Sequence, residues 1–434
     1  MKVDSLPAAA PTAMRWERVD IEERLLGTLR VARRTVRTLL PDTGDPALLS
    51  EKVISETALL LVAAANAAQR CCRPTAAELI GEIAAELAPH ARSEALRTRI
   101  RLWPTHAGEL GVAHVCLTRL GLPDPNFDAV FTAAMDSTVA RMAERLPWKE
   151  IELAWLGSIG GPPRPPATGA ARRTRVGTGL DAMLATRMEV YGFTHALIYL
   201  TGFGALRPTL PRPRSAVLAD ATAALARSLD DDDFDVAAET LLSWPYLRSP
   251  WTGAGAFGLR VLTEVEDQVG YLPGLGLVAD RFAGLSAADR TRRVVGAAYH
   301  TTYVMGLLMA ATLLPGAGGP PRSWAGPGAR PRGGIAAELL ALMPDRTPTP
   351  HWRSTMDRVS TEDRDSMADL LAAIALRRAL YAHDIGLFQR ILRVCCSYDL
   401  VDCAAVRQGA DLLERLRAEG GHGGSVIGRF GPGA

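Results

Sequence analysis

Lysine is almost missing from this chain: Lys2, Lys52 and Lys149 are its only three, so a Schiff-base or phosphate-cradling lysine has few candidates. Arginine supplies nearly all the remaining positive charge, a usage that reads as codon bias. Aromatic residues make up 6% of the sequence, asparagine occurs only as Asn66 and Asn126, and no strand pattern is read. Six cysteines, Cys71-Cys72, Cys116, Cys395-Cys396 and Cys403, show no Cys-x-x-Cys spacing, and the N-terminus has no charged-then-apolar signal pattern. Free buried thiols in a reducing cytoplasm are therefore expected. The net charge of +2 over 434 residues leaves no electrostatic footprint for nucleic acid, and no nucleic-acid partner is expected.

What is present is alanine, leucine and arginine, a mixture that favours helix. With 48% apolar and 22% charged residues the chain has the composition of an ordinary globular protein. Its length exceeds one small core. The expectation is an all-α fold in which amphipathic outer helices alternate with all-round apolar inner helices, as an α/α toroid, a solenoid-like arrangement or two lobes. Residues 1–12 read as a disordered tail, 13–159 as an N-terminal helical lobe, 160–178 as a Gly/Pro/Arg-rich linker or lid, and 179–418 as a C-terminal helical lobe interrupted by a loop at 315–334. Residues 419–434 read as a second disordered tail. In the second half, helices are expected near 179–204, 233–244, 255–269, 286–314, 361–380 and 384–397, and in the first half one spans 125–144.

Two uncharged stretches, Val190 to Leu206 and Val294 to Pro321, require a membrane test, and the second is long enough to span a bilayer. Its first half carries Tyr299, His300, Thr301, Thr302 and Tyr303, a poor lipid-facing composition. A buried inner helix accounts for it better, and no membrane association is expected.

The same stretches carry the candidate chemistry. His195 and Tyr199, four residues apart, share a helix face, as do His300 and Tyr303 at a spacing of three. Asp384, after Tyr381 and His383, is placed to orient an imidazole. Converging on one cavity, His195, His300, Tyr199, Tyr303 and Asp384 supply general acid–base groups, with Tyr191, Thr194, Tyr299, His383 and Glu152 as substrate-binding neighbours. Each histidine taken singly is as well explained as a hydrogen-bonded core residue. Two on separate uncharged helices favour a polar-lined cavity. Arg172, Arg173 and Arg175, with the arginines between Arg322 and Arg332, attract an acidic or phosphorylated substrate if their loops are lids; solvated loops are the plainer account.

Metal signatures are poor, since neither His-Glu-x-x-His nor paired cysteines occur. No cofactor is expected; a zinc site from His195, His300 and Asp384, or a magnesium site, stays open and ranks below metal-free acid–base use. Asp231-Asp232-Asp233-Phe234-Asp235 satisfies the Asp-Asp-x-x-Asp pattern of class I terpene synthases, but the second magnesium motif is missing and an acidic run caps a helix equally well. Gly253-Ala-Gly255-Ala-Phe-Gly258 is a literal Gly-x-Gly-x-x-Gly without the preceding strand that a dinucleotide site needs.

The phrases Tyr191-Gly-Phe-Thr-His195-Ala-Leu-Ile-Tyr199, Ala298-Tyr-His300-Thr-Thr-Tyr303 and Ala382-His383-Asp384-Ile-Gly-Leu387 resemble those of an uncharacterised family of helical actinobacterial proteins found among natural-product genes, including those for modified ribosomal peptides. The resemblance covers about residues 140–400. It implies a biosynthetic context, with a precursor peptide or small molecule as substrate and other biosynthetic enzymes as partners. Within that context the expected activity is peptide cyclisation by addition of a cysteine thiol to a dehydroamino acid. Lanthionine cyclases are similar at the level of an α/α toroid but hold zinc through Cys and Cys-His ligands. This chain lacks that Cys-His-Gly arrangement, and Cys395-Cys396-Ser397 does not replace it. A thiol here would be activated by a general base, His195 or His300. The alternatives are a non-catalytic helical peptide-binding or scaffold protein and a non-standard terpene cyclase.

Overall fold

Apolar residues at three- and four-residue spacing become buried helix faces throughout the computed structural model, which describes residues 16–40, 47–68, 74–161, 168–274, 284–317 and 333–420. Among these residues the fold is all-α, with no strand. The first half comprises α1 (Arg18–Leu39), α2 (Ala47–Ala68), α3 (Pro74–Ala91), α4 (Glu94–Leu102), α5 (Ala107–Arg119), α6 (Pro125–Asp136), α7 (Thr138–Met142) and α8 (Pro147–Ser158). The middle comprises α9 (Thr168–Arg173), α10 (Arg175–Thr178), α11 (Arg187–Leu200), α12 (Arg214–Asp230), α13 (Phe234–Leu241), α14 (Ser243–Tyr246), α15 (Gly253–Val269) and α16 (Ala287–Leu313). The chain ends with α17 (Ile335–Leu342), α18 (His351–Asp357), α19 (Thr361–Asp365), α20 (Ala368–Tyr381), α21 (Ile385–Ser397) and α22 (Ala404–Gly420).

Local chemistry sets the helix limits. Thr186 accepts from the Glu189 amide while the Glu189 carboxylate accepts from the Thr186 amide at 2.8 Å, a capping box that starts α11. The helix expected from 179 therefore begins at Arg187. Before it, Gly179 has φ +93° and the Asp181 side chain accepts from the Met183 and Leu184 amides, which holds a turn. The span 125–144 divides at Ser137, whose hydroxyl accepts from the Ala140 amide. The span 361–380 divides after Asp365, whose carboxylate leaves its own helix to cap α17, accepting from Gly334 N at 2.7 Å and Ala336 N at 2.9 Å.

Six helices close a ring. α2 packs on α5, α5 on α8, α8 on α11, α11 on α13, α13 on α16, and α16 returns to α2. α1 lies along α16 and also contacts α2 and α3, while α12 backs α13 and receives the C-terminal helix α20. The buried core is one continuous cluster from Ile21 to Leu413, so the N-terminal and C-terminal lobes expected from the sequence share a core instead of each having its own. Within the segment expected to be a linker or lid, residues 168–178 form α9 and α10 and bury Ala170, Ala171 and Val176. Arg164, the residues from Arg322 to Arg332, the expected tail 1–12 and residues 421–434 of the other expected tail lie outside the described residues, while Glu419 and Gly420 of that tail end α22. α16 is the one described helix long and apolar enough to cross a membrane, and 67% of its apolar window is buried inside the protein.

Candidate functional site

The six-helix ring encloses a cavity of about 340 Å³. His195 and Tyr199 reach it from α11, His300 and Tyr303 from α16, and Glu152 from α8, so the two histidine–tyrosine faces meet there. Asp384 does not. It is exposed at the start of α21, where its carboxylate accepts from the Leu387 amide at 2.8 Å, and the histidine–aspartate relay and the His195/His300/Asp384 zinc set do not assemble. His383, also exposed, takes φ +54° in the turn before it. An aspartate one residue before a helix is a cap first.

His300 stands between carboxylates from two helices. Its Nδ1 is 2.9 Å from Glu56 Oε2 on α2, and its Nε2 is 3.2 Å from Asp235 Oδ1 on α13. Burial works against its proton, but Glu56 and Asp235 outweigh burial and raise its pKa to about 9, so the ring is imidazolium at neutral pH. Glu239 lies one turn beyond Asp235 on the same helix. Burial pushes its carboxyl up, partly offset by the neighbouring His195 and His300. His195 sits on the other flank of Glu239, with Nδ1 3.6 Å from Oε2. The same Nδ1 lies 2.9 Å from the Tyr191 carbonyl. A proton on Nδ1 satisfies that carbonyl and leaves the Nε2 lone pair unspent. Trp148 packs on the ring at a centroid distance of 4.9 Å.

Around this pair the polar groups are held in place. Tyr199 donates to Glu152 at 2.8 Å, and burial followed by the Glu152 charge lifts its pKa far above the ordinary phenol. Lys149 bridges Glu152 at 2.8 Å and Glu109 at 3.0 Å. Burial lowers its pKa, but these carboxylates outweigh that and keep it an ammonium. Tyr303 shares a hydrogen bond with Thr57 at 3.0 Å. Tyr191 and Thr194 act through carboxylates: the Tyr191 hydroxyl donates to Asp235 and the Thr194 hydroxyl to Glu239. Tyr299 is buried on α16, where burial and Glu56 raise its pKa.

The arginines expected to greet a substrate are otherwise engaged. Arg173 pairs with Glu150 at 2.8 Å, Arg175 pairs with Glu189, and Arg172 is exposed on α9. The acidic run is also divided. Asp230 and Asp231 hold Arg346, Arg377 and Arg378, Asp232 accepts from the His351 amide, and Asp233 caps α13 and pairs with Arg187. Only Asp235 turns to His300, so the Asp-Asp-x-x-Asp pattern does not converge as a diphosphate clamp would. The glycine motif is packing: a Cβ on Gly253, Gly255 or Gly258 would press on Ser366, Trp244 or Leu225 at 2.5–2.9 Å.

Sequence reading passed over Glu56 and Glu239, and weighed Asp235 only within the acidic run and Lys52 and Lys149 only as scarce lysines. The signal was there for Asp235 and Glu239: two carboxylates at i and i+4 in a helix whose other residues are nearly all apolar. Lysine scarcity was a second signal, since Lys52 and Lys149, two of the three lysines, line the cavity.

These features define an all-α protein with a central cavity walled by imidazoles, carboxylates and phenols. The chain belongs to the family described as a domain of unknown function (DUF6895), whose model matches residues 24–310. No curated protein and no solved structure matches it. The cavity wall, from Glu51 to Leu307, falls inside the matched region, and α17 to α22 fall outside it.

Proposed function

We propose that this chain is a cytoplasmic enzyme of natural-product biosynthesis that performs acid–base ring formation in the six-helix cavity. The reaction is addition of a cysteine thiol of a precursor peptide to a dehydroamino acid. The observation that carries the acid–base part is that His195 and His300 flank one carboxylate, Glu239, at a single cavity: His195 with Nδ1 on the Tyr191 carbonyl, and His300 held as an imidazolium by Glu56 and Asp235. A scaffold or peptide-binding protein would satisfy the two rings separately, so their shared cavity supports the enzyme reading over that alternative. The biosynthetic context rests on the resemblance of the histidine-bearing phrases.

In this reading His195 Nε2 accepts the thiol proton, and the thiolate sulfur bonds to the dehydroamino acid β-carbon. The π-pair moves to the α-carbon and its carbonyl, and the cluster around His300 returns a proton to the α-carbon. One hydrogen passes from sulfur to carbon and the mass does not change. The cavity, near the lower end of small-ligand pockets, admits the reacting side chains and not a whole peptide.

The test is co-expression with a dehydrated precursor peptide, followed by thiol alkylation and mass spectrometry. Wild-type protein is expected to leave fewer alkylatable thiols at unchanged peptide mass, and folded His195→Ala to lose that protection by roughly 100-fold or more in rate. Full alkylation with wild-type protein overturns the cyclase reading. Full protection with His195→Ala removes His195 as the base.

A further inference from the structure

The acidic wall of the cavity has the form of a cation site. Asp235, Glu239 and His300 each present one ligand atom, and these atoms lie within 4.8 Å of one another. Asp235 Oδ1, on a side chain only 7% exposed, has His300 Nε2 at 3.2 Å and no well-aligned hydrogen bond, and the ion pair of Glu56 Oε2 with His300 Nδ1 beside it is also poorly aligned. Buried polar atoms with poorly aligned partners leave lone pairs available to a further ligand.

The neighbouring groups are arranged as those of a metal ligand set are. Asp235 gives its other oxygen, Oδ2, to the Tyr191 hydroxyl and to Arg187 at 3.2 Å, which leaves Oδ1 turned to His300. Thr194 holds Glu239 Oε2. Glu56 faces His300 Nδ1, which fixes the ring so that Nε2 points at Asp235, the carboxylate–histidine–metal arrangement in which an outer carboxylate orients and enriches the imidazole. Bound ions of the first transition row sit about 2.0–2.2 Å from nitrogen and oxygen ligands, so neighbouring ligands are about 3–3.5 Å apart. Atoms that lie within 4.8 Å of one another close on such an ion by side-chain shifts.

We propose that Asp235, Glu239 and His300 bind a divalent first-row transition ion of the zinc or manganese kind, with Glu56 as the outer carboxylate on His300 and at least one coordination position open to the cavity. One imidazole and two carboxylates suit such an ion. They offer too few oxygens for calcium and no sulfur for a soft ion. Binding replaces the Nε2 proton of His300 with the ion, and the open position takes water or a substrate oxygen or sulfur beside His195. The acid–base groups of the cavity are then His195 and the ion-bound water. The site stands independently of the cyclase reading, because occupancy is measured without turnover.

Chelator-treated full-length protein is dialysed and titrated with zinc or manganese alone, and bound ion is counted by elemental analysis. One ion per chain is expected, with a rise in melting temperature on loading. Asp235→Asn and Glu239→Gln are expected to lose more affinity than the roughly 10–100-fold expected for Glu56→Gln. His351→Gln, on an exposed ring away from the cavity, keeps the wild-type value. Cobalt loading of wild-type protein covers the case in which a variant fails to fold: its visible spectrum is expected to show nitrogen–oxygen coordination without a thiolate charge-transfer band. Negligible bound ion in wild-type protein, undiminished binding in the double variant Asp235→Asn/Glu239→Gln, or a thiolate band each overturns the site. Loaded protein that fails to protect thiols sinks the cyclase reading alone, and protein that protects thiols yet binds negligible ion sinks the metal site alone.

Discussion

His114 is fully buried, yet both ring nitrogens are used: Arg92 Nε donates to Nδ1 at 3.0 Å, and Nε2 donates to Asp128 at 2.7 Å. This network needs the neutral ring. Burial lowers the pKa of His114, and the pull of Asp128 does not fully offset it. The unfolded chain therefore binds this proton more readily than the folded one. The contribution to stability is present above the unfolded value near 6.5 and is lost as pH falls below it. Melting temperature is expected to drop as pH falls below about 6.5, and to drop less in His114→Gln, whose amide makes the same two contacts without titrating. An equal drop in both proteins, read by circular dichroism, counts against this assignment. The same residue-level logic explains what the sequence disclosed about the site. A histidine and a tyrosine at helical spacing on an uncharged segment were legible because the spacing alone sets their shared face. Glu56 was not, because a carboxylate in an amphipathic helix looks the same whether it meets solvent or a buried imidazole; Asp235 and Glu239 stood out in their apolar helix, but only the partner helix names what they meet. Asp384 misled for the converse reason, its capping role being as local as the pattern that suggested catalysis.

At the scale of elements, the approach of α1 to α16 depends on Gly306. A Cβ there would lie 2.4 Å from Thr28 Cγ2 and 3.1 Å from Leu60 Cδ1. Thr28 is stiff at χ1, and its hydroxyl donates to the Arg24 carbonyl at 3.2 Å, so it does not yield freely. Gly306→Ala gains about 1 kcal/mol in helix propensity and loses about 1–3 kcal/mol to overpacking. At a contact this short the second term wins. Urea denaturation is expected to show a net loss on the order of 1 kcal/mol, largely restored by adding Thr28→Ser, which removes the clashing methyl. No restoration in the double variant would place the strain elsewhere. The helices themselves were largely legible, since their apolar period is local. Their breaks were less so: the division of 361–380 comes from Asp365 reaching across to cap α17, a tertiary demand with no mark in the surrounding period. The glycine triplet was legible as something other than a nucleotide loop, but the helix neighbours that require glycine there were not.

Ring closure is the property of the whole molecule on which the site depends. It was the least legible feature, because α2 and α16 are brought together across more than 200 residues and periodicity names a buried face without naming what covers it. The ring is compatible with the toroid expected from alternating inner and outer helices. An ion-pair link crosses one junction beside its apolar packing: Lys149 on α8 spans from Glu152 on its own helix to Glu109 on α5. Glu152 is 7% exposed, so its charge is poorly compensated by water. Replacing the cation by an apolar chain of similar length, Lys149→Met, leaves the Glu152 carboxylate with the Tyr199 hydroxyl and removes the ion-pair link between α5 and α8. Amide exchange in α5 and α8 is expected to accelerate about tenfold, the equivalent of about 1.4 kcal/mol of local stability, while α20 to α22, which pack outside the ring, keep wild-type protection. Acceleration spread evenly over all helices would mean that Lys149 supports the global fold and not the closure. Unchanged exchange everywhere would mean that apolar packing alone holds α5 to α8, and that the two lysines of the cavity wall are retained for what enters it.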